Sequence, residues 1–280
     1  MKFCFVILHY KNLKDTLECI ESIKAKITCN DYKIIVVDNN SNDDSTVYLK
    51  KVKDSKVEFI FSDENLGFAK GNNLGCSYAI TKYHPKFLIV INNDTLIIQN
   101  DFLERIENKY KKNKFHILGP YIEGKDLKPQ NPYLNVIVGK NAIIKNLLKI
   151  RIYIILEKFN LNFIRNIFKK YKKEVDFDFN IERNNIALMG AALIFSEDYY
   201  KKYDEVFYSK TFMYCEEDIL YYFVQKDNLI SIYDPTIKIF HKEESTTLKL
   251  NKSTKQQKLF KMKNQIDSLK RFLKLIRKSR

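Results

Sequence analysis

The sequence predicts an α/β fold with a mostly parallel β-sheet flanked by helices. In the first third of the chain, short apolar runs typical of buried strands alternate with segments whose apolar residues recur every three or four positions. Strands separated by helices of this length imply parallel pairing with right-handed crossovers. A hydrophobic content of 45% over 280 residues supports a substantial core and argues against a disordered chain.

Four strands are predicted in this region, at residues 3–8, 33–38, 57–62 and 86–92. The first apolar run also resembles the start of a signal peptide. It has no small-residue cleavage site and is followed by a polar helical pattern, so we interpret it as a strand. Helices are predicted after the first three strands, at 12–26, at 41–52 and in the glycine-bearing segment 65–80.

A different pattern begins at residue 128. A loop at 128–135 leads into a basic, apolar stretch that is predicted to be helical through about residue 173. Strand and helix patterns return at 185–200, a helix is predicted to open at Glu216, and short strands are expected over 229–241. The last prediction is an amphipathic helix at 259–276, because its apolar residues alternate steps of three and four.

The net charge of +15 is concentrated in two segments. Residues 140–173 contain ten Lys or Arg against Glu157 alone, and residues 249–280 contain twelve against Asp267 alone, so the remainder of the chain is mildly acidic. Both segments interleave charge with Ile, Leu and Phe, as expected of helices on an anionic surface such as a membrane or nucleic acid. A packed helix pair with a solvated lysine face is the alternative.

The five cysteines are scattered, odd in number and form no CxxC pair. This pattern favours reduced thiols in the cytoplasm over a disulfide framework or a zinc site. No apolar run in the sequence reaches the roughly 20 residues that a membrane-spanning helix needs.

Polar side chains follow each of the four predicted strands: His9 and Tyr10, Asp38 and Asn39, Asp63 to Asn65, and Asn92 to Asp94. The carboxyl ends of parallel strands meet at one edge of a sheet, where open α/β sheets bind ligands. This edge is therefore the predicted site for a nucleotide-type ligand. Asn and Asp also end strands by forming turns, so the run from Asn92 to Asp94 taken alone has a structural explanation as well.

Three features suit a divalent cation that bridges phosphate oxygens: Asp94, the acidic run from Glu216 to Asp218, and His241 at the end of a later strand. Each has a structural alternative, because acidic residues stabilise helix N-termini and a single histidine is more often a packing residue. Lys70 lies beside two glycines and is a candidate phosphate contact, although the segment matches neither G-x-G-x-x-G nor a P-loop.

Seven motifs occur in register: "ILHYKN", "IIVVDNNSNDDS", "ENLGFAKGNN", "FLIVINNDT", "LMGAALIFS", "FMYCEED" and "PTIKIFHKEEST". Together they resemble family 2 glycosyltransferases of the GT-A fold, in particular the bacterial rhamnosyltransferase-like branch that builds surface polysaccharides such as capsule or O-antigen. The resemblance implies a Rossmann-like nucleotide-binding half joined to an acceptor-binding half. It also implies inverting transfer in a single displacement, aided by Mg²⁺ or Mn²⁺.

The resemblance assigns donor-binding roles to residues that match these motifs. It implies that Asp38 holds the nucleobase, with His9 and Tyr10 nearby. The sugar-nucleotide pocket would be lined by four further residues: Asn65, Lys70, Asn73 and Asn93.

The resemblance also assigns a metal site. Asp94 stands in the family's D-x-D-like signature and is the expected direct metal ligand. His241 matches a C-terminal histidine and is a candidate second contact to the metal or the diphosphate. Asn92 replaces the first acid of the stricter signature, which leaves one carboxylate there.

"CEED" matches the acidic pair that supplies the catalytic base in the family. We expect Glu217 to be the base and Glu216 to support it, with Asp218 as the weaker alternative. Phe223 stands where many relatives have Arg, so no basic phosphate contact is expected at that position.

Four segments follow from these patterns: 1–127 as a nucleotide-sugar-binding half, 128–184 as a basic, apolar helical insertion, 185–247 as an acceptor-binding and catalytic half, and 248–280 as a basic amphipathic C-terminal helix.

The expected function is that of an inverting glycosyltransferase, of hexosyl or rhamnosyl type. It would move a sugar from a UDP- or TDP-sugar to a lipid-linked or other glycan acceptor. The basic segments then predict a cytoplasmic protein held peripherally on the inner face of the cell membrane, with no nucleic-acid partner. One alternative is a basic nucleic-acid-binding protein, which the acidic body and the lack of a binding motif disfavour. Another is a sugar nucleotidyltransferase, whose N-terminal Gly-rich phosphate loop is missing.

Overall fold

The computed structural model describes residues 1–161, 177–243 and 254–278 as one mixed sheet with helices on both faces. The strands are β1 (Phe3–His9), β2 (Tyr32–Asp38), β3 (Val57–Phe61), β4 (Phe87–Asn92), β5 (Thr95–Ile97), β6 (Ile117–Gly124), β7 (Arg183–Asn184), β8 (Ala192–Ser196) and β9 (Ser231–His241). The helices are α1 (Leu13–Lys26), α2 (Asp44–Lys51), α3 (Gly67–Tyr83), α4 (Phe102–Lys112), α5 (Gly139–Lys158), α6 (Glu197–Tyr200), α7 (Glu216–Lys226) and α8 (Thr254–Lys278).

The strand order is β3-β2-β1-β4-β8-β6-β9-β5, and β7 pairs with β9. The first four strands are parallel, as the alternation of strands and helices predicts. Next to β4 the direction reverses for one strand, because β8 runs antiparallel to both β4 and β6, whereas β6 and β9 are parallel to each other and point the same way as β4. The α/β class is confirmed, and the sheet is half parallel and half antiparallel in its pairings.

The two faces of the sheet bury different helices. In β1, Phe3, Phe5 and Ile7 join a cluster that contains α1 and α4, whereas Cys4 and Val6 join a cluster that contains α3, α6 and α7. This separation follows from the period of two along a strand, and it produces three layers. A third cluster is formed where α5, α7 and α8 pack together, with Ile143, Leu147, Cys215, Ile219, Leu269 and Phe272 at its centre.

The elements predicted in the first third of the chain are present, with bounds shifted by a few residues at most. β5, α4 and β6 were not predicted, and a single long strand, β9, replaces the short strands expected over 229–241. The predicted basic helix is α5 as far as Lys158, while its continuation over 162–176 lies outside the described residues. The predicted C-terminal helix is α8. The division into four segments stays a prediction.

No helix within the described ranges is both long enough and apolar enough to cross a membrane.

The glycines of 65–80 lie inside α3, not in a phosphate-binding loop. A Cβ on Gly75 would lie 2.7 Å from Val6 Cγ1 and 2.8 Å from Val37 Cγ2, and one on Gly71 would lie 2.6 Å from Leu8 Cδ1. These glycines therefore let α3 approach the sheet closely enough for its first turn to lie beside the ends of β1 and β2.

We expect Gly75→Val to lower the free energy of unfolding by about 2–3 kcal/mol, because two buried valines already occupy the space that the new side chain needs. Urea denaturation followed by circular dichroism measures the change. Ser77→Val is the matched control, since Ser77 is exposed on the same helix and loses only a few tenths of a kcal/mol in helix propensity. Equal stability of the two variants would contradict the close-approach role of Gly75.

Candidate active site

Asp94 and His241 meet at the carboxyl edge of the sheet. Asp94 lies in the turn between β4 and β5, and Thr95 at the start of β5 pairs with His241 at the end of β9. His241 Nε2 lies 3.1 Å from Asp94 Oδ1, and the residues are only 8% and 6% exposed. The backbone N–H of Lys242 donates to the Asp94 carbonyl at 2.9 Å, which holds the strand end in place.

The hydrogen-bond partners of His241 determine which ring nitrogen carries a proton. His241 Nδ1 lies 2.7 Å from Gln130 Oε1, and the Gln130 amide nitrogen contacts the Glu243 carboxylate. A carboxylate accepts only, so this contact orients the Gln130 amide with its oxygen toward the ring, and Nδ1 must be the donor. With the proton of a neutral ring on Nδ1, Nε2 is an acceptor that faces an oxygen of the Asp94 carboxylate, so a proton or a cation between these two atoms would hold the pair together.

The acidic residues of α7 lie at the same edge of the sheet. Glu217 Oε1 accepts the backbone N–H of Gly190 at 3.2 Å, and a Cβ on Gly190 would lie 2.8 Å from that oxygen. The neighbouring residue Ala191 accepts the N–H of Asn92, at the end of β4, at 2.9 Å. One short run of backbone therefore connects the Glu217 carboxylate with the turn that carries Asp94.

Residues 130–137, which we call the 130–137 strap, connect the two halves of this edge. Gln130 contacts His241, as described, and Asn131 Oδ1 accepts the N–H of Met189 at 2.9 Å. At the other end, the N–H of Ile137 donates to Asp218 Oδ1 at 2.6 Å. The sequence indicated only a loop here, because no local pattern distinguishes a site-lining amide such as that of Gln130 from a turn residue.

Burial raises the pKa of all three carboxyl groups at the start of α7. Burial, reinforced by the charge of Glu217, raises the pKa of Glu216 to about 8. Burial also raises the pKa of Asp218 to about 7, against the opposing effect of the hydrogen bond from Ile137. The pKa of Glu217 is raised by burial and partly lowered by backbone hydrogen bonds, including the one from Gly190. This edge therefore holds carboxyl groups that bind protons far more tightly than exposed ones.

The entry into α7 is strained. Tyr214 and Cys215 both adopt positive φ angles, of 72° and 70°, although neither is glycine. Such residues cost on the order of 1–3 kcal/mol each and persist where surrounding structure enforces them. Here the preceding loop is held against α3, because Phe68 N donates to the carbonyl of Phe212 at 2.8 Å. These two residues directly precede the helix that carries the acidic run.

The ends of β1 and β2 form a dense hydrogen-bonded network. Asp38 is 1% exposed and accepts the N–H of Ser41 at 3.0 Å and the hydroxyl of Thr46 at 2.5 Å. His9 is fully buried between the hydroxyls of Thr16 and Ser45, at 2.7 and 2.8 Å. Burial lowers the pKa of His9, although the charge of Asp38 opposes the shift. His9 thus joins α1 to α2 beneath the edge and does not face solvent.

The remaining predicted donor-binding residues divide into exposed and engaged groups. Lys70 is exposed on the first turn of α3, and Tyr10 is partly exposed at the end of β1. Asn73 is engaged in a two-way hydrogen bond with the backbone of Phe207, at 2.7 and 2.8 Å. Asn93 is buried and donates to Thr16 Oγ1 at 3.0 Å.

Asn65 accepts the N–H of Gly67 at 3.0 Å and the side-chain amide of Asn39 at 3.1 Å. Asn39 also accepts the N–H of Leu66 at 2.8 Å, so it ties the end of β2 to the start of α3. The sequence places Asn39 at a strand end but gives it no role. Its hydrogen bond to Asn65, 26 positions along the chain, is visible only in the fold.

Within the described ranges, no group of three or more His, Cys, Asp and Glu side chains could hold a metal ion by itself. The paired acceptors of Asp94 and His241 nevertheless fit a divalent cation that takes its other ligands from phosphate oxygens and water.

A model of glycosyl transferase family 2 matches residues 4–177, which is more than half of the chain. The chain belongs to glycosyltransferase family 2. The expected family is thereby confirmed, while the rhamnosyltransferase-like branch stays a prediction.

One curated relative is the low-salt glycan biosynthesis hexosyltransferase Agl10 of Haloferax volcanii, which is 25% identical over 126 residues. The match spans 45% of this family 2 chain and 38% of the relative.

Solved structures of the same fold include S. aureus TarS 1-349 in complex with UDP-GlcNAc, with a TM-score of 0.56 at 14% identity over 88% of this chain and 59% of TarS 1-349. GalNAc-T7 with UDP, GalNAc and Mn²⁺ has a TM-score of 0.57 at 12% identity over 86% of this chain and 44% of its own. The chain thus spans about two fifths to three fifths of the lengths of these proteins. The likeness confirms the GT-A fold.

In this family 2 chain, we expect the stability to fall between about pH 4.5 and pH 8 because of Glu216. The folded state retains a proton that the unfolded chain releases near pH 4.5, so the free energy of unfolding decreases as the pH rises through this window. Glu216→Gln removes this proton linkage and should reduce the loss of unfolding free energy between pH 5 and pH 8 by about 3 kcal/mol.

Urea unfolding at pH 5 and at pH 8 measures this slope. Glu104→Gln, at an exposed position on α4, is the control and should leave the slope unchanged. Parallel slopes for wild type and Glu216→Gln would show that Glu216 is ionised in the folded protein at pH 5.

Proposed function

We propose that this chain transfers a sugar from a nucleotide diphosphate sugar, with UDP or TDP as the nucleotide, to a hydroxyl of a glycan acceptor with inversion. The observation that carries the proposal is the common sheet edge of the Asp94–His241 pair and the Glu217 carboxylate. The 130–137 strap connects that pair with the start of α7 through Gln130 and Asp218. An inverting transfer needs this combination, because charge leaves with the diphosphate on one side of the sugar while a base removes a proton on the other.

Asp94 and His241 would hold Mg²⁺ or Mn²⁺. The ion supplies positive charge that neutralises the diphosphate as it departs. Gln130 contributes by fixing the proton of His241 on Nδ1, which leaves Nε2 free to serve as a ligand. The Mn²⁺ in the GalNAc-T7 structure supports a divalent cation in this fold.

Glu217 is the proposed base. It would accept the proton of the acceptor hydroxyl as that oxygen forms its bond to the anomeric carbon and the bond to the diphosphate oxygen breaks. Burial raises the pKa of Glu217, and a higher pKa makes the carboxylate a stronger base at neutral pH. Glu216, with its own raised pKa, would support Glu217 by remaining neutral beside it, since two adjacent buried carboxylates resist joint ionisation.

For the donor, we propose that Asp38 and Tyr10 lie at the nucleobase and that Lys70 contacts a phosphate. Lys70 is exposed on the first turn of α3, and within the described residues no carboxylate forms a salt bridge with it. His9, Asn65, Asn73 and Asn93 would act on the donor by holding the strand ends and α3 in place, as their hydrogen bonds indicate.

The finer assignments are also proposals. We infer a hexosyl or rhamnosyl donor, a lipid-linked glycan acceptor in surface polysaccharide synthesis, and a cytoplasmic protein held on the inner face of the cell membrane. The two basic segments support this location, and the glycan biosynthesis role of Agl10 supports a glycan acceptor.

We expect Asp94→Ala to lower metal-dependent nucleotide release from the preferred donor at least 100-fold, since it removes the carboxylate of the proposed metal site. Glu217→Gln should lower transfer 10²- to 10⁴-fold, the typical contribution of a general base, while leaving donor binding intact. A panel of UDP-, GDP- and TDP-sugars with Mn²⁺ would be screened by thermal stabilisation and then by nucleotide release. Glu104→Gln is the control. Wild-type rates in both site variants would overturn the assignment.

We expect Gln130→Leu to weaken Mn²⁺ binding about 10- to 100-fold, because it removes the acceptor that orients His241. Excess Mn²⁺ should restore the rate. Gln99→Leu is a matched control: Gln99 also binds β9, through Thr236 O at 3.0 Å and Lys238 N at 2.6 Å, but does not contact the histidine. Isothermal titration of the ion in the presence of UDP gives the affinities, and equal losses in both variants would reduce Gln130 to a packing role.

A further inference from the structure

Helix α5 has two apolar faces, and the described part of the protein covers one of them. Ile143 and Leu147 are buried in the cluster with α7 and α8. The other face carries a row of exposed apolar side chains that ends at the residue just after the helix, and we call this row the outer stripe of α5. Its members are between 36% and 71% exposed: Ile144, Leu148, Ile152, Ile155 and Phe159.

The outer stripe is continuous. With about 3.6 residues per turn, its five side chains fall within an arc of about 80°, and they extend over about 22 Å of helix. An isolated exposed Leu or Ile needs no explanation, but a stripe of this length on one helix indicates a surface that another apolar phase covers.

Basic side chains flank the outer stripe on both sides. Lys145 and Lys149 lie along one border, and Lys140, Arg151 and Lys158 lie along the other, all of them exposed. The one acid of α5, Glu157, is 3% exposed and faces away from the outer stripe toward Lys258 on α8, 3.6 Å away. The outward surface of α5 is therefore apolar at its centre and purely cationic at its borders.

We propose that the outer stripe of α5 docks on an anionic lipid surface. An apolar stripe bordered by Lys and Arg is the arrangement by which a helix lies in the headgroup region of a bilayer. A second copy of the chain fits less well, since a two-fold contact through the stripe would place two sets of cations against each other. α8 does not supply the apolar contact, because Met262, Leu269 and Phe272 on its apolar face are buried.

Docking through α5 deepens the proposed function, because it would bring the site to a lipid-linked acceptor. The 130–137 strap ends next to the start of α5, and its Ile137 N–H contacts Asp218. The inference about a lipid-linked substrate rests on the proposed glycosyl transfer. Vesicle binding does not, since it is measured without donor or acceptor.

The test is co-flotation of the full chain with phosphatidylglycerol vesicles and with neutral phosphatidylcholine vesicles. We expect binding to phosphatidylglycerol that weakens with salt. The variant Leu148→Gln/Ile152→Gln/Ile155→Gln should lower the partition coefficient at least tenfold. Its matched control is Ile98→Gln/Ile181→Gln/Ile230→Gln, at similarly exposed positions elsewhere, which should bind like wild type.

A second pair of variants tests the cationic border without touching the apolar residues. Lys145→Glu/Lys149→Glu should lower partitioning at least 25-fold, at about fivefold per lost cation. Lys263→Glu/Lys270→Glu makes the same charge change on α8 and should have a smaller effect.

Equal losses from the α5 and α8 charge variants, or equal binding of the apolar variant and wild type, would overturn docking through the outer stripe. A dimer in solution without lipid that the apolar variant dissociates would instead assign the stripe to a second copy. Donor hydrolysis measured on the same preparations tests the proposed transferase function independently of vesicle binding, so the failure of one can be told from the failure of the other.

Discussion

The antiparallel ladder between β5 and β9 is the contact on which the rest of the site depends. It places Thr95 opposite His241 and so brings Asp94 against a residue 147 positions away in the chain. β5 has only three residues and could not hold this register alone. It is held because β9 also pairs with β6 over most of its length, so the long strand carries His241 to the carboxyl edge that β1, β2 and β4 already define.

The antiparallel strand β8, which lies between β4 and β6, explains why the edge combines two kinds of chemistry. The parallel strands β2 and β4 lead into Asp38 and into the turn with Asp94, at the carboxyl ends where open α/β sheets bind ligands. The antiparallel strand β8 instead begins beside β4, so the residues just before it, Gly190 and Ala191, lie between the turn and α7. Gly190 has no side chain, and this leaves room for the Glu217 carboxylate.

Burial then gives the carboxyl groups their properties. Glu216 and Asp218 bind protons near neutral pH because water is largely excluded around them, and the strained residues Tyr214 and Cys215 hold the helix start in this position. The unfavourable free energy of this arrangement is offset by the three apolar clusters. In the third cluster, α5 and α8 pack on α7. The two basic segments look alike in sequence but differ in the fold, because the apolar face of α8 is buried whereas α5 has a second apolar face that is exposed.

The sequence by itself determined the α/β class, the parallel strands and the polar residues at their ends. These depend on periods of two and 3.6 and on local turn chemistry, which short segments encode. The seven motifs identified the family because each of them is also a short, local segment. Tertiary structure alone decided that β8 runs antiparallel within the sheet, that Gln130 orients His241, and that His9 lies buried between two helices. It also decided that α5 buries one apolar face and leaves a second one exposed. Each of these depends on which distant segments pack together, and a local pattern carries no record of the partner.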